Sequence, residues 1–282
     1  MIKTSSFLLS ISLSIATPIF AQNSSTQSTP IFQSQFSRNL TKNFQEAKSD
    51  GCFVLYDLKR DRYIRYNSNR CRKRFVPAST FKIFNSLVAL ETKAIADENT
   101  VIIWDGVKRT FPVWNQDQNM RTAFTRSAVW FYQDLARRIG KERMTKYIQA
   151  VGYGNQDISP KIDSFWLEGN LRISAEEQIK FLVKLYQEDL PFSKSVIKAV
   201  KDMMVIERKD SYTLSGKTGW SRSPDGTNNL GWYVGYVEKD KNVYFYALNL
   251  ENQDADFPMG VIRKKILYDI FQDLQLINSK QS

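Results

Sequence analysis

Pro77-Ala78-Ser79-Thr80-Phe81-Lys82, with the apolar run Ile83, Phe84, Leu87, Val88, Ala89 and Leu90 behind it, decides how the rest of the chain is read. A serine just ahead of such a run predicts the first residue of a buried helix, and Lys82, three positions on, falls on the same face one turn later. Ser79 and Lys82 are therefore expected to touch. The chain contains no histidine, which excludes a Ser-His-Asp triad, so an activated serine must lean on Lys, Tyr or a carboxylate. A lysine among apolar helix residues is a workable base, because burial favours the neutral amine near pH 7. The Ser-x-x-Lys spacing is not specific by itself. Ser195 and Lys198 repeat it among Lys194, Lys201 and Asp202, a pattern that reads as the solvated face of an ordinary helix.

Working outward from this stretch, Met1 to Ala21 has an early Lys3, an apolar segment from Phe7 to Phe20 and a small residue at Ala21. This predicts a signal peptide cleaved near Ala21 and a periplasmic protein, with residues 22–282 forming one domain. No cysteine stands near the cut and no later apolar stretch is long enough to span a bilayer, so no stable membrane anchor is expected. Cys52 and Cys71 are the only cysteines. In an exported chain they are a disulfide candidate, a bridge that would stabilise by about 3 kcal/mol. Two cysteines without histidine make a poor donor set, so no metal is expected. The net charge is +11, concentrated in Lys59, Arg60, Arg62, Arg65, Arg70, Arg72, Lys73 and Arg74, with Asp61 as the local counter-charge. Such a run attracts anionic partners. Without a recognisable nucleic-acid motif, and in an exported chain, it reads as a solvated hairpin and not as a nucleic-acid site.

Cys52 to Tyr56 and Tyr63 to Tyr66 read as a β-hairpin around Asp57 to Asp61. Helices are expected after Ser79, over Ala123 to Ile139 up to Gly140, over Lys141 to Tyr153, from the capping box Ser174-Ala175-Glu176-Glu177 to Gln187, and over Ser193 to Met204. Tyr212 to Trp220, Leu230 to Val237 and Val243 to Leu250 read as consecutive antiparallel strands, separated by Pro224-Asp225-Gly226 and Asp240-Lys241-Asn242. Met259 to Leu274 closes as an amphipathic helix. The fold class is thus α+β: an antiparallel sheet built from both ends of the chain, flanked by helices, with a helical region inserted between.

Four short motifs follow one another: Ser79-Thr80-Phe81-Lys82, Ser127-Ala128-Val129, Tyr153-Gly154-Asn155 and Lys217-Thr218-Gly219. In this order the chain resembles the penicillin-recognising serine enzymes, and most closely the class D (oxacillinase-type) β-lactamases. Val129 stands where class A enzymes and most penicillin-binding proteins have Asn. Tyr153-Gly154-Asn155 is a class D signature, and Trp166-Leu167 looks like the loop that covers the active-site lysine.

The resemblance implies hydrolysis of penicillin-type β-lactams through an acyl-Ser79 ester. It implies no cofactor beyond carbon dioxide, carried on Lys82 as an N-carboxylated lysine that serves as general base. Trp166 would support that group by a hydrogen bond, among apolar Phe81, Val129 and Leu167. Ser127 would pass the proton to the departing nitrogen, with Lys217 beside it. Lys217, Thr218 and Arg263 would hold the substrate carboxylate, Gly219 would let the strand approach, and Trp114 would line the mouth. The backbone N–H groups of Ser79 and Trp220 would form the oxyanion hole. Tyr153, Gly154 and Asn155 shape a loop, and Glu168 is read as structural, not as a deacylating base. The expected partners are small-molecule β-lactams, with oligomeric state left open. Two alternatives share these motifs: a D,D-peptidase that stays acylated, and a β-lactam sensor domain, which is normally tethered to a membrane-spanning module.

Overall fold

A computed structural model describes residues 39–223 and 229–277. The expected signal peptide and the Pro224-Asp225-Gly226 turn lie outside the described residues. The described chain builds a six-stranded sheet in the order β2-β1-β8-β7-β6-β5, antiparallel throughout. Its strands are β1 (Asp50–Asp57), β2 (Arg62–Tyr66), β5 (Val205–Lys209), β6 (Tyr212–Arg222), β7 (Asn229–Lys239) and β8 (Asn242–Asn252). Pairing of β1 with β8, from Asp50↔Glu251 to Asp57↔Tyr244, closes the N-terminal hairpin onto the last strand. The α+β architecture expected from sequence is the one observed.

Period-two alternation splits the sheet's apolar residues between two cores. Val54, Trp232, Val234, Tyr236, Phe245 and Ala247 face the front, while Phe53, Leu55, Tyr233, Val237, Tyr246 and Leu248 face the back. The back core is covered by a helix over 39–46, α1, and by α9 (Met259–Asp273). The front core holds the inserted helices: α2 (Ser68–Arg72), α3 (Lys82–Glu91), α4 (Met120–Arg126), α5 (Val129–Ile139), α6 (Lys141–Val151), α7 (Ala175–Tyr186) and α8 (Lys194–Met204). A short β3 (Arg74–Phe75) pairs with β4 (Ile173–Ser174) at the entry to α7. With both faces covered, the central strands carry near-continuous apolar sequence.

Helix α3 is the hub of the front core. Every residue from Lys82 to Leu90 is buried. Two of its polar residues reach α5: Asn85 Nδ2 donates to the Tyr132 carbonyl at 3.2 Å, and the Ser86 and Tyr132 hydroxyls lie 2.9 Å apart.

The structure departs from the sequence reading at five places. Ser79 is not the first residue of the helix but sits in a 3₁₀ turn, Ala78–Phe81, that leads into α3. The single helix expected over 123–139 is two. An Asn119–Thr122 capping box starts α4 early, and Ser127 ends it in the left-handed conformation, φ 57°, with its N–H bonded back into the last turn. Strand β5 was not anticipated because Glu207, Arg208 and Lys209 are charged, as suits a solvent-facing edge. The basic run is opposed by more than Asp61. Arg60 pairs with the nearby Asp57, while Arg65 pairs with Glu176, Arg70 with Glu251 and Arg74 with Glu177, acids that the fold brings from distant segments. The fifth concerns the thiols: Cys52 and Cys71 are buried and free, so the expected bridge is not formed. Each is satisfied as a thiol. Cys71 Sγ donates to the Tyr66 carbonyl at 3.2 Å, and the adjacent Cys71 together with burial pushes the Cys52 thiol pKa up.

No helix among the described residues is long and apolar enough to cross a membrane. Among the same residues no group of three or more His, Cys, Asp or Glu side chains could hold a metal ion.

Candidate active site

The nucleophile's turn is built under strain. Ala78, fully buried, has φ 49°, a conformation that costs an L-residue about 1–2 kcal/mol. It is held there by its N–H to the Trp166 carbonyl at 3.0 Å and by the Thr80 N–H and hydroxyl, both on the Pro77 carbonyl. The Trp232 indole on the neighbouring Val76 carbonyl adds a fourth tie. This turn presents Ser79 to the cleft while Lys82 begins α3 below it.

Lys82 Nζ lies 2.6 Å from Ser79 Oγ. The lysine is completely buried, and burial first, then the charge of Lys217, holds its pKa well below the ordinary lysine range. Phe81 stacks on Trp166 with ring centroids 5.3 Å apart. Trp166 is also fully buried, and its Nε1–H has no hydrogen-bond partner among the described residues. Leu167, the next residue, and Val129, at the start of α5, are half-buried.

Ser127 enters from the α4–α5 break, where its left-handed backbone turns the hydroxyl toward Lys217, with Nζ 3.2 Å from Oγ. Lys217 is 5% exposed. Burial, with the Arg263 charge adding, brings its pKa down to about 7, so near neutral pH it can either give a proton or take one. Its Nζ also donates to the Thr218 carbonyl at 3.2 Å. Arg263 reaches the same strand from α9, its Nη1 on the Gly219 carbonyl, and burial lowers its pKa to about 10. Its neighbours turn elsewhere: Lys264 lies over the Tyr268 ring and Lys265 pairs with Asp269. Trp114 is fixed on the end of α4 by its indole N–H to the Arg126 carbonyl, 2.8 Å, beside the Ser127 corner. Trp220 is 41% exposed at the cleft edge.

Strand β5 stops pairing with β6 at Val205↔Ser215, so Gly216 onward has no partner strand on its outer side. Gly219 brings this free edge against the nucleophile's turn. A Cβ there would lie 2.9 Å from the Pro77 carbonyl oxygen and 3.1 Å from Thr80 Cγ2, a contact that only a shift of backbone relieves. Gly219→Ala is accordingly expected to push β6 away from Ser79 and cut kcat/KM by about 10²-fold. Steady-state kinetics at unchanged Tm checks this; a wild-type kcat/KM would refute it.

A scan of family models matches residues 24–272 to the penicillin binding protein transpeptidase domain. The chain is 44% identical over 241 residues to the probable β-lactamase YbxI of Bacillus subtilis (strain 168), covering 86% of each chain. It is 43% identical over 243 residues to β-lactamase OXA-48 of Klebsiella pneumoniae, covering 86% of this chain and 90% of that one. Among solved structures, a class D β-lactamase YbXI from Nostoc superposes with a TM-score of 0.80 at 45% identity, covering 84% of this chain and 99% of that one. The chain belongs to the class D β-lactamases.

In this class D β-lactamase the third motif works at a distance. Asn155 receives the Arg172 N–H on its side-chain oxygen at 2.8 Å, gives its own N–H to the Arg172 carbonyl at 2.9 Å, and donates Nδ2 to the Asn170 carbonyl at 2.8 Å. It thereby clips together the two ends of the loop that carries Trp166. Gly154 has φ 56°, and a Cβ there would collide with the Arg172 carbonyl. Tyr153 is buried edge-on to Phe81 and Phe181. Glu168 is exposed.

Sequence reasoning missed two groups in the β-lactamase site. Tyr132 places its ring 5.3 Å from Lys82 Nζ and Phe124 places one 5.5 Å from Lys217 Nζ. Both read as helix core residues, and nothing in their spacing distinguishes them.

Proposed function

We propose that this class D β-lactamase hydrolyses the amide of penicillin-type antibiotics through an acyl-Ser79 ester, with Lys82 carried as an N-carboxylated lysine. The observation that carries this reading is a nucleophile 2.6 Å from a fully buried lysine whose pKa is held low. An uncharged amine is the form that captures carbon dioxide. The surroundings suit the product: Trp166 Nε1–H is a buried donor without a partner, and Phe81, Val129 and Leu167 supply apolar walls. A carbamate on Lys82 would supply a general base for Ser79 and for the hydrolytic water.

The chain's own residues account for the rest. Ser127 hands a proton to the lactam nitrogen as the C–N bond breaks, and Lys217, 3.2 Å away with a pKa near 7, resupplies it. Lys217, Thr218 and Arg263 offer cationic and hydroxyl partners for the substrate carboxylate. The N–H groups of Ser79 and Trp220 lie on the two elements that Gly219 brings together, where an oxyanion would be stabilised.

Activity is expected to fall as pH drops from 8 to 5, because protonation of Lys82 removes the form that binds carbon dioxide, and to recover on adding bicarbonate. Rates across that range with and without bicarbonate test this, together with a carbamate signal in ¹³C NMR of protein equilibrated with labelled bicarbonate. Indifference to bicarbonate and no such signal would refute the modified lysine. Intact-mass spectrometry during penicillin exposure tests the hydrolytic reading: a transient adduct with many turnovers supports it, and a permanent one favours the D,D-peptidase or sensor. We further propose that residues 22–282 form one exported periplasmic domain conferring β-lactam resistance. The compartment reading rests on Met1 to Ala21.

A further inference from the structure

Helix α7 turns Ala175, Gln178, Ile179, Phe181, Leu182 and Leu185 inward. One of these is an amide. Gln178 is fully buried, and burying an amide costs free energy unless it is hydrogen-bonded. Its Nε2 donates to Thr80 Oγ1 at 2.9 Å across 98 residues of sequence. Thr80, 1% exposed, donates its own hydroxyl to the Pro77 carbonyl at 2.7 Å. The Tyr153 hydroxyl, buried as well, lies beside both Thr80 and Gln178.

These contacts fix the rotamer of the residue next to the nucleophile. Donating to Pro77 and accepting from Gln178 leaves the Thr80 side chain one orientation, with its methyl toward Gly219. Pro77 O and Thr80 Cγ2 are the atoms that stand closest to where a Gly219 Cβ would be. The approach of the strained Ser79 turn to the β6 edge is thus limited by the Pro77 carbonyl and the Thr80 methyl together, and Thr80, whose hydroxyl is bonded to that carbonyl, is held from α7.

We infer that Gln178 is a positioning residue for acylation: through Thr80 it sets the gap between Ser79 and the Gly219–Trp220 edge in which the substrate's carbonyl oxygen sits. The inference rests on the hydrolytic reading and on those two elements supplying the oxyanion hole. Donors in such a hole act only within a few tenths of an ångström of their working distance. A purely architectural Gln178, tying α7 to the turn, would affect stability without separating kinetic steps.

The test uses the full-length mature enzyme and a chromogenic cephalosporin in single-turnover stopped flow, with Tm recorded for each variant. Gln178→Met keeps length and removes the donor, while Thr80→Val removes the hydroxyl. Each is expected to slow acylation by about tenfold, with the dissociation constant of the non-covalent complex within about twofold of wild type. The double variant is expected to be no slower than the slower single one, because both act through one hydrogen bond. Acylation at the wild-type rate in a folded Gln178→Met, or losses that multiply in the double variant, would overturn the inference. Should Gln178→Met not fold, Thr80→Val, which keeps the methyl and removes the hydroxyl, decides alone: acylation at the wild-type rate in a folded Thr80→Val overturns the inference. Acylation is read separately from turnover, so a wild-type protein that acylates without hydrolysing refutes the proposed function and leaves this comparison intact.

Discussion

Lys82→Ala is expected to lose acylation and deacylation together, by about 10³-fold or more in kcat/KM. No histidine exists to substitute as base. The other buried amine in the site, Lys217, is committed to Ser127 at 3.2 Å. With Lys82 gone, Ser79 keeps an ordinary alcohol's reluctance to ionise. Intact-mass spectrometry after penicillin addition should show unmodified protein for hours, where wild type shows a transient adduct. An adduct forming at the wild-type rate would remove Lys82 from the mechanism. The same variant carries a second signature. The folded pKa of Lys82 lies below its unfolded value, so between the two the unfolded chain binds one proton more than the native one. Wild-type stability therefore rises with pH through this window, and falls as acid enters it. Lys217 contributes with the same sign between about 7 and the ordinary lysine value of 10.5. Denaturant titrations at pH 6 and pH 9 should show a shallower pH slope for Lys82→Ala than for wild type.

Trp166→Phe is expected to trap the acyl-enzyme. Phenylalanine can keep a ring against Phe81 and removes the indole N–H with a smaller loss of buried volume than alanine, whose cavity would cost several kcal/mol. In the proposed mechanism a carbamate on Lys82 would lose a hydrogen-bond donor with that N–H. Acylation should fall less than deacylation, because the uncharged Lys82 amine 2.6 Å from Ser79 Oγ can still take its proton; deacylation should slow by about 10²-fold and acyl-Ser79 should accumulate. Excess bicarbonate is expected to restore part of the turnover. Steady-state kcat at the wild-type level with no accumulated adduct would show that the indole does not serve the lysine.

The α+β class, the strands at both chain ends, the Ser174–Glu177 capping box and the pairing of Ser79 with Lys82 were all legible in one dimension, because each rests on local periodicity or on a spacing of three. The errors share a cause. The break at Ser127 depends on a left-handed residue closing α4, which helical apolar spacing on both sides conceals. The charged edge strand β5 exists because β6 offers it a partner. The basic run was read against Asp61, whereas Glu176, Glu177 and Glu251 come from segments brought alongside by β-pairing and by α7. Gln178, by spacing alone, is one polar residue on an apolar helix face.

The sequence alone determined which groups could do chemistry: a serine, two lysines without histidine, and a glycine in a strand. Tertiary structure decided what state those groups are in. Whether Lys82 is charged depends on its complete burial and on the charge of Lys217, and the pKa of Lys217 depends on burial and then on Arg263 arriving from the last helix. Desolvation and Coulomb interactions act through space, over distances of a few ångströms. Lys82 and Lys217 stand 135 positions apart, Lys217 and Arg263 stand 46 apart, and no local pattern records such pairings.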